Sequence, residues 1–268
     1  MKRLLAFSMA ILIIFSLCSC GKKDDTESKT ETTVAYMTEK DENITYDLKD
    51  DSGRIRAKLD MTYPLIESKE RPEVAESIAK WFVDYREEQV KSITDGLPSL
   101  IETQDRFGID KPTVTKITCK KYSETDFTVS YTVTEKRGTD PEKDEGGVFG
   151  CTFSLETGKR MTLDSLYRSA DEKSDGAMKA LIAEEADRTY ATRANVPISD
   201  EQREILDQLF SRDNFCITDF DIVFLYPFEV LSSGARKGIY YCAIDYTNVE
   251  DLLYTPGEYN ARYRGDDH

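Results

Sequence analysis

Apolar residues recur at helical spacing in three parts of the chain. Val74, Ile78, Phe82 and Tyr85 lie three or four residues apart with charged residues between them, which is typical of an amphipathic helix. The pattern predicts that this helix begins at Pro72, ends at Gly96-Leu97-Pro98 and is followed by a short helix over 99–106. Two more amphipathic helices are predicted, one around Met178, Leu181, Ile182, Ala186 and Tyr190, and one that Ser199 and Gln202 cap and that carries Ile205, Leu206, Leu209 and Phe210.

Alternation and β-branched residues mark the strands. Residues 54–63 alternate apolar and polar side chains imperfectly, and Pro64 is predicted to end that strand. Beyond residue 112, segments dense in Val, Thr, Tyr and Phe predict strands at 113–122, 127–136, 148–155, 214–218, 221–226 and 239–246.

These elements predict an α+β protein in two parts. A small α+β domain is expected over 34–112, and an antiparallel-sheet domain with packed helices over 113–254. The segment 255–268 is polar and is expected to be a frayed tail.

The N-terminus has the pattern of an export signal. Lys2 and Arg3 precede an uncharged run that is shorter than the ~20 residues needed to span a bilayer. The run ends in Leu17-Cys18-Ser19-Cys20, which resembles the bacterial lipobox. We therefore predict a signal peptide over 1–19, acylation of Cys20 and a flexible tether over 20–33. An ordinary secreted protein or an uncleaved anchor is the alternative.

Charge narrows the classes of partner. The chain has 51 acidic and 36 basic residues and a net charge of −15, the opposite of the basic surface that binds nucleic acid. Loss of Lys2 and Arg3 with the signal leaves 34 basic residues and a net charge of −17. The expected location is the cell envelope, with the protein lipid-anchored at the outer membrane or cell surface and facing away from the cytoplasm.

Few residues suggest catalysis or metal binding. The one histidine is His268, the last residue, which excludes Ser-His and Cys-His catalysis and His-based zinc sites from a folded domain. Asp140, Glu142 and Asp144 have the spacing of a calcium loop, but Glu145 stands where an EF-hand has Gly, so a solvated acidic loop is predicted. Ser232-Ser233-Gly234 is read as a hairpin tip. We predict no metal and no cofactor.

Four cysteines remain in the body of the protein, at positions 119, 151, 216 and 242. Two disulfides are one possibility in an exported protein. If the strands form antiparallel meanders, however, Cys119 and Cys151 lie two strands apart, as do Cys216 and Cys242. That separation of about 9.6 Å exceeds the ~7 Å that a disulfide spans between Cα atoms. Buried thiols are therefore the favoured interpretation, and bonds that cross between the meanders stay open.

Short motifs follow one another in the second half of the chain. Thr157-Gly158-Lys159, Leu163-Asp164-Ser165-Leu166 and Tyr226-Pro227-Phe228-Glu229 occur in that order. The series resembles a domain of unknown function in the ectodomain of RsiV-type anti-sigma factors and beside PdaC-type peptidoglycan deacetylases. The resemblance covers about 113–254, and Tyr63-Pro64-Leu65-Ile66 resembles the smaller domain that often precedes it. The family's Pro-Tyr after the turn is missing here.

The resemblance implies noncatalytic binding. In the anti-sigma setting the domain binds lysozyme, a cationic protein that would suit an acidic body. The deacetylase domain itself is absent. We expect a protein partner such as lysozyme, or a peptidoglycan-related ligand, with Tyr226, Phe228 and Glu229 at the contact. The same turn is alternatively a structural corner. An envelope glycan-processing enzyme that uses a carboxylate pair is the competing class, although no pair is marked by its surroundings.

Overall fold

The computed structural model describes residues 37–142, 146–194, 197–227, 231 and 238–265. The predicted signal peptide, Cys20 and the predicted tether lie outside these residues. None of the described helices is long and apolar enough to cross a membrane.

The first half of the chain builds a five-stranded sheet and one long helix. The elements are β1 (Thr38–Lys49), β2 (Ile55–Glu67), α1 (Pro72–Phe107), β3 (Thr113–Glu124), β4 (Thr128–Gly138) and β5 (Gly146–Ser154). The strands follow the order β1-β2-β3-β4-β5. All neighbours are antiparallel except β2 and β3, which are parallel because α1 crosses over between them. The sheet therefore continues across residue 112, where a domain boundary was predicted.

The prediction of two helices over 72–106 is wrong, because α1 is one helix of 36 residues with Pro98 inside it. A proline removes one backbone hydrogen bond, and contacts with the sheet on both sides of Pro98 compensate. Ile93 is buried before Pro98, and Gln104 is buried after it and donates to the carbonyl of Arg56 at 3.0 Å. The helix ends at Gly108, whose left-handed backbone (φ 63°) caps the last turn.

Two features of the first strands differ from the sequence pattern. Pro64 does not end β2, which continues past it paired with β1. The pairing of β2 with β3 ends at Thr62, so one edge of β2 is free at Pro64, and a proline is tolerated there. β1 was not predicted at all. It carries six charged residues among twelve and exposes alternate side chains, so its sequence looks like a polar linker until β2 pairs with it.

The second half adds a smaller sheet and four helices: α2 (Leu163–Leu166), α3 (Glu172–Ala194), α4 (Asp200–Leu209), β6 (Phe215–Ile217), β7 (Asp221–Pro227), β8 (Ile239–Asp245) and α5 (Pro256–Gly265). β6, β7 and β8 pair antiparallel in that order. The predicted capping box of Ser199 and Gln202 is present. The predicted frayed tail is instead helical in α5, where Tyr259 is buried against the core.

The α+β class and the helices packed on sheets agree with the prediction. Ile78 and Phe82 of α1 pack on one face of the first sheet, and Ile182 of α3 packs on the second sheet. As the meander geometry predicted, β4 separates the first two body cysteines and β7 separates the other two. All four are buried free thiols: Cys119, Cys151, Cys216 and Cys242.

Candidate ligand-binding groove

One face of the first sheet is polar and partly open. On β3 the residues Lys116, Thr118 and Lys120 point to this outer face, and Ile117 and Cys119 point to the opposite, inner face, which α1 covers. This division follows from the alternation of side chains along a strand. β4 repeats the pattern, so lysine and threonine side chains from two neighbouring strands share one surface: Thr132, Thr134 and Lys136.

The second sheet packs on part of the outer face through hydroxyl groups. Thr152 of β5 donates its Oγ1 hydrogen to the carbonyl of Phe215 at 3.0 Å, and Ile217 donates its backbone N–H to Ser130 Oγ of β4 at 2.9 Å. Ser123 of β3 donates to the carbonyl of Ile217. β6 therefore crosses three strands of the first sheet and contacts each of them.

Gly150 makes this close approach possible. A Cβ atom at this position would lie 2.6 Å from the carbonyl carbon of Phe215 and 2.8 Å from Leu225 Cδ1. Asn214 then bridges the sheets, since its Oδ1 accepts from the N–H of Gly150 at 2.7 Å and its Nδ2 donates to the carbonyl of Leu225 at 2.9 Å. The second sheet is fixed over one part of the outer face, and in the described part of the chain the rest of that face is uncovered.

The uncovered part is a groove of about 340 Å³. β3 and β4 form its floor, and Ile239 and Tyr241 of β8 form its wall. The ring of Tyr241 stacks on Tyr122 of β3, with centroids 5.6 Å apart and planes 15° apart. Tyr241 is 43% exposed and Tyr122 is 36% exposed, so aromatic surface remains accessible. We call this surface the lysine groove; its residues are Lys116, Thr118, Lys120, Thr132, Thr134, Lys136, Glu142, Ile239 and Tyr241.

The charge of the lysine groove is opposite to that of the whole chain. Three lysines face one carboxylate in it, within a protein of net charge −15. Lys116 lies directly opposite Lys136 in the β3–β4 register, an arrangement that destabilises a sheet because like charges repel. Glu142 forms an ion pair with Lys116, and that contact lowers the pKa of Glu142. A positive site that works against fold stability favours a role in binding anions.

A larger groove, of about 720 Å³, lies between the start of α1 and the ends of β1 and β2. Its lining includes Glu67, Glu70 and Glu76 against the single cation Lys69, and it has no aromatic ring. It would repel anions and offers no stacking surface. Among the described residues, no cluster of His, Cys, Asp or Glu could hold a metal ion.

Of the three residues predicted to contact a partner, the structure describes Tyr226. Tyr226 is 1% exposed and its ring stacks on Tyr240 in the core, with centroids 6.4 Å apart, so it fills the core rather than reaching a ligand. Burial raises its pKa well above the usual value. Phe228 and Glu229 lie outside the described residues, as do Asp144 and the Ser232-Ser233-Gly234 tip.

The Thr-Gly-Lys motif has a structural role. Gly158 has a left-handed backbone (φ +69°), and a Cβ there would lie 2.6 Å from Ser77 Cβ of α1. Ser77 also donates its hydroxyl to the carbonyl of Gly158 at 3.1 Å. Only glycine suits both the backbone conformation and the contact with the helix.

The Leu-Asp-Ser-Leu motif is also structural. Leu163 and Leu166 are buried, and Asp164 forms an ion pair with Arg212. Arg212 also pairs with Asp175 at 2.8 Å, and Asp175 accepts from Tyr167 Oη at 3.0 Å. The network ties α2 to α3 and to the residues before β6. Both motifs thus stabilise the fold, and neither contributes a residue to the lysine groove.

Sequence reasoning found the strands of the lysine groove but not the groove itself. The available signal was the alternation of Lys and Thr on two predicted neighbouring strands. The missing information was that β8 would bring Tyr241 over those strands, 119 residues after Tyr122 in the chain.

Comparison with known proteins identifies the fold. No protein-family model and no curated protein matches the chain. Among solved structures, a member of the DUF3298 family from Bacteroides fragilis is similar over 84% of this chain and 99% of its own, with a TM-score of 0.52 and 15% identity. A DUF3298 family protein from Pseudomonas aeruginosa covers 82% of this chain and 96% of its own, with a TM-score of 0.47 and 10% identity. The first likeness shows the fold alone, and it is consistent with the predicted domain of unknown function.

Proposed function

We propose that the protein is a noncatalytic cell-envelope lipoprotein that binds a peptidoglycan-related ligand in the lysine groove. The observation that carries the proposal is the convergence of three lysines and the exposed Tyr241, whose ring stacks on Tyr122, in one groove of an otherwise acidic protein. The proposal keeps the binding role expected from the sequence and moves the site away from the Tyr226 turn.

The chemistry of the groove suits a carboxylate-bearing glycopeptide. Lysine ammonium groups attract carboxylates, and charged hydrogen bonds of this kind are the stronger ones. Flat aromatic rings such as Tyr122 and Tyr241 give apolar contact area to sugar or peptide units at little cost in conformational entropy. Threonine hydroxyls on the floor add donors and acceptors.

Lysozyme is the second candidate ligand, and it is favoured by a different observation. A mature charge of −17 would speed association with a cationic protein. The lysine groove would repel such a partner, so lysozyme would have to bind elsewhere on the acidic surface. Neutralising the groove should then leave lysozyme binding unchanged or make it slightly tighter.

Cosedimentation of the purified full chain with peptidoglycan sacculi tests the proposal. We expect the double variant Lys116→Gln, Lys136→Gln to bind at least about tenfold more weakly, since each charged hydrogen bond contributes roughly 1.5–3 kcal/mol. The matched control is Lys80→Gln, Lys91→Gln, which removes the same charge from exposed ion pairs of α1. The control should bind like the wild type, and raised salt should weaken wild-type binding.

Two results would contradict the proposal. Equal weakening in both double variants would mean that overall charge, rather than the groove, governs binding. Unchanged sedimentation of the groove variant would move the site elsewhere. Lysozyme added as a separate ligand distinguishes the second candidate, because its binding should not follow the groove lysines.

The lipid anchor is tested separately. Cys20→Ser should abolish labelling by a fatty-acid analogue and release the protein into the soluble fraction, because the proposed thioether forms on that sulfur. Unchanged labelling of the variant would remove the lipoprotein part of the proposal and leave the ligand part standing.

The enzymatic alternative has one pair of carboxylates in its favour. Asp221 and Asp245 face each other across β7 and β8. Burial and the charge of Asp245 raise the pKa of Asp221, whereas hydrogen bonds from Thr247 lower the pKa of Asp245. Such a difference is what acid–base catalysis uses. Soluble sugar fragments released by the wild type but not by Asp221→Asn would favour an enzyme over a binding protein.

A further inference from the structure

The edges of the two sheets are protected to different degrees. Native proteins protect edge strands with charges, with very short strands or with covering segments, because free backbone groups invite another strand to pair. β1 carries six charged residues. β5 is covered along part of its length, where Ser154 donates to Lys159 and Met161 donates to Thr152. β6 has only three residues.

Three of the four outward backbone groups of β6 also form hydrogen bonds. The N–H of Thr218 donates to the carbonyl of Asp221. The backbone N–H and C=O groups of even-numbered residues of β6 therefore point toward β7, and those of odd-numbered residues point away from it. The outward groups are those of Phe215 and Ile217, and three of them bond to Thr152, Ser130 and Ser123 of the first sheet. β1, β6 and the covered part of β5 are therefore protected, and the free part of β2 beyond Thr62 contains Pro64.

β8 is the exception. The hydrogen bond between Thr218 and Asp221 shows that the backbone N–H and C=O groups of odd-numbered residues of β7 point toward β6. Those of even-numbered residues therefore point toward β8. The hydrogen bond from the Tyr246 N–H to the Phe220 carbonyl agrees with this assignment, because it joins an even-numbered residue before β7 to an even-numbered residue after β8. The N–H and C=O groups of Ile239, Tyr241 and Ala243 therefore point away from β7, and no described residue forms a hydrogen bond with them.

Nothing in the sequence of β8 blocks pairing. Its seven residues include one charge, Asp245 at the very end, and no proline, and its register with β7 has no bulge. Ile239 and Tyr241 also form the wall of the lysine groove. The free edge and the lysines thus border the same space.

We infer that the peptide part of the ligand binds as an added strand along β8, with its carboxylates on the groove lysines. This inference rests on the proposed function. An added strand forms backbone hydrogen bonds with alternate residues of the edge, and side-chain contacts supply the specificity. The lysines select a carboxylate-bearing peptide over a neutral or basic one, and Tyr122 and Tyr241 contact its neighbouring groups.

The length of the edge fits a short peptide. The outward groups from Ile239 to Ala243 span about 13 Å at 3.3 Å per residue. That length pairs with a peptide segment of about four or five residues.

Binding of separated peptidoglycan components tests the inference. Amidase digestion of purified peptidoglycan gives free peptides and peptide-free glycan strands, and each is titrated into the full chain. We expect the peptides to bind and the glycan strands not to. Glycan strands that bind as well as intact peptidoglycan would overturn the inference and leave the proposed function standing. Binding of neither component nor of intact peptidoglycan would overturn the proposed function and the inference with it.

A pair of substitutions at one position isolates the backbone contact. Tyr241→Val removes the ring and keeps the outward N–H, whereas Tyr241→Pro removes both and leaves the β7–β8 hydrogen bonds intact, because this N–H points away from β7. We expect the proline variant to bind the peptides at least about fivefold more weakly than the valine variant. Equal affinities in two folded variants would overturn the inference.

Amide hydrogen exchange in the wild type gives a readout that needs no variant. The N–H groups of Tyr240 and Cys242 point to β7 and should exchange slowly with or without ligand. Those of Tyr241 and Ala243 should exchange quickly in the free protein and slowly once the peptides are bound. If binding does not slow exchange at Tyr241 and Ala243, no strand is added at β8.

Discussion

The two faces of the five-stranded sheet are built in different ways. The inner face is covered by α1, and its aromatic rings interlock: Phe82 lies 5.0 Å from the ring of Tyr131 and 6.1 Å from that of Phe153. The outer face is covered only in part, by a three-stranded sheet held through hydroxyl groups and a glycine contact. Among the residues that the structure describes, what remains uncovered is the lysine groove.

If the proposed function holds, this difference places stability on the inner face and ligand binding on the outer one. Interlocking apolar side chains leave no accessible surface and contribute free energy by burial. Hydroxyl-to-backbone bonds position a sheet but contribute less, roughly 1 kcal/mol each. The outer face can therefore keep lysines that oppose each other, because the inner face supplies most of the stability.

The largest expected effect is on the inner face. Phe82 is fully buried, so Phe82→Ala should lower the free energy of unfolding by about 3–5 kcal/mol through lost burial and a cavity. Phe107→Ala is the control, since Phe107 belongs to the same helix and is 67% exposed. It should change stability by no more than about 0.5 kcal/mol. Urea unfolding measures the free energy of unfolding of both variants. Similar decreases in the two would contradict the view that packing on the inner face supplies most of the stability.

The next effect is on the contact between the two sheets. Gly150→Ala puts a Cβ against the backbone of Phe215, and the resulting overpacking should cost about 1–3 kcal/mol. Gly147→Ala, on the same strand, meets nothing within 4 Å and should be close to neutral. Thermal unfolding of the two variants decides the matter. An unchanged melting temperature in Gly150→Ala would mean that the two sheets can move apart to make room for the added Cβ at no cost in stability.

A smaller effect, of the opposite sign, is expected in the lysine groove. Lys136→Thr removes the like-charge pair with Lys116 and should raise the free energy of unfolding by a few tenths of a kcal/mol. Lys120→Thr is the control, because Lys120 lies opposite Thr132. Both variants should bind peptidoglycan less well. If Lys136→Thr were less stable than Lys120→Thr, the Lys116–Lys136 pair would not destabilise the fold, and this prediction would be wrong.

The smallest effect depends on pH. Burial and Asp245 raise the pKa of Asp221 in the folded protein, so the folded state holds this proton more tightly than the unfolded chain does. Stability is therefore lost as pH rises through and above the usual Asp range near 4. Asp221→Asn should be more stable than the wild type at pH 7, by a few tenths of a kcal/mol, and should lose this advantage at low pH.

Chemical unfolding at several pH values tests this prediction. The exposed Asp219, two residues earlier, supplies the control variant Asp219→Asn. A constant difference between Asp221→Asn and the wild type at all pH values would mean that the titration of Asp221 does not contribute.

Local patterns predicted most elements of the second half. The Ser199–Gln202 capping box, the amphipathic helices and the six strands beyond residue 112 depend on neighbours in the chain, so short windows of sequence contain the signal. The pattern failed where a distant partner decides. β1 pairs with β2 despite its charges, and α1 passes through Pro98 because it packs on the sheet.

The cysteines show how far such reasoning extends. Their positions on predicted meanders were enough to disfavour disulfides within each sheet, and the four are buried thiols in the structure. Burial raises the pKa of Cys151 and of Cys242 to about 12, which leaves little reactive thiolate at neutral pH.

The sequence by itself determined the α+β class, most of the helices and strands, and the excess of acidic residues, because each depends on local periodicity or composition. Only the tertiary structure decided that the Tyr226 ring is buried and that β8 lies above Lys116 and Lys136. Those facts depend on how two sheets meet at Gly150, and contacts between residues far apart in the chain leave no periodic signal in either segment.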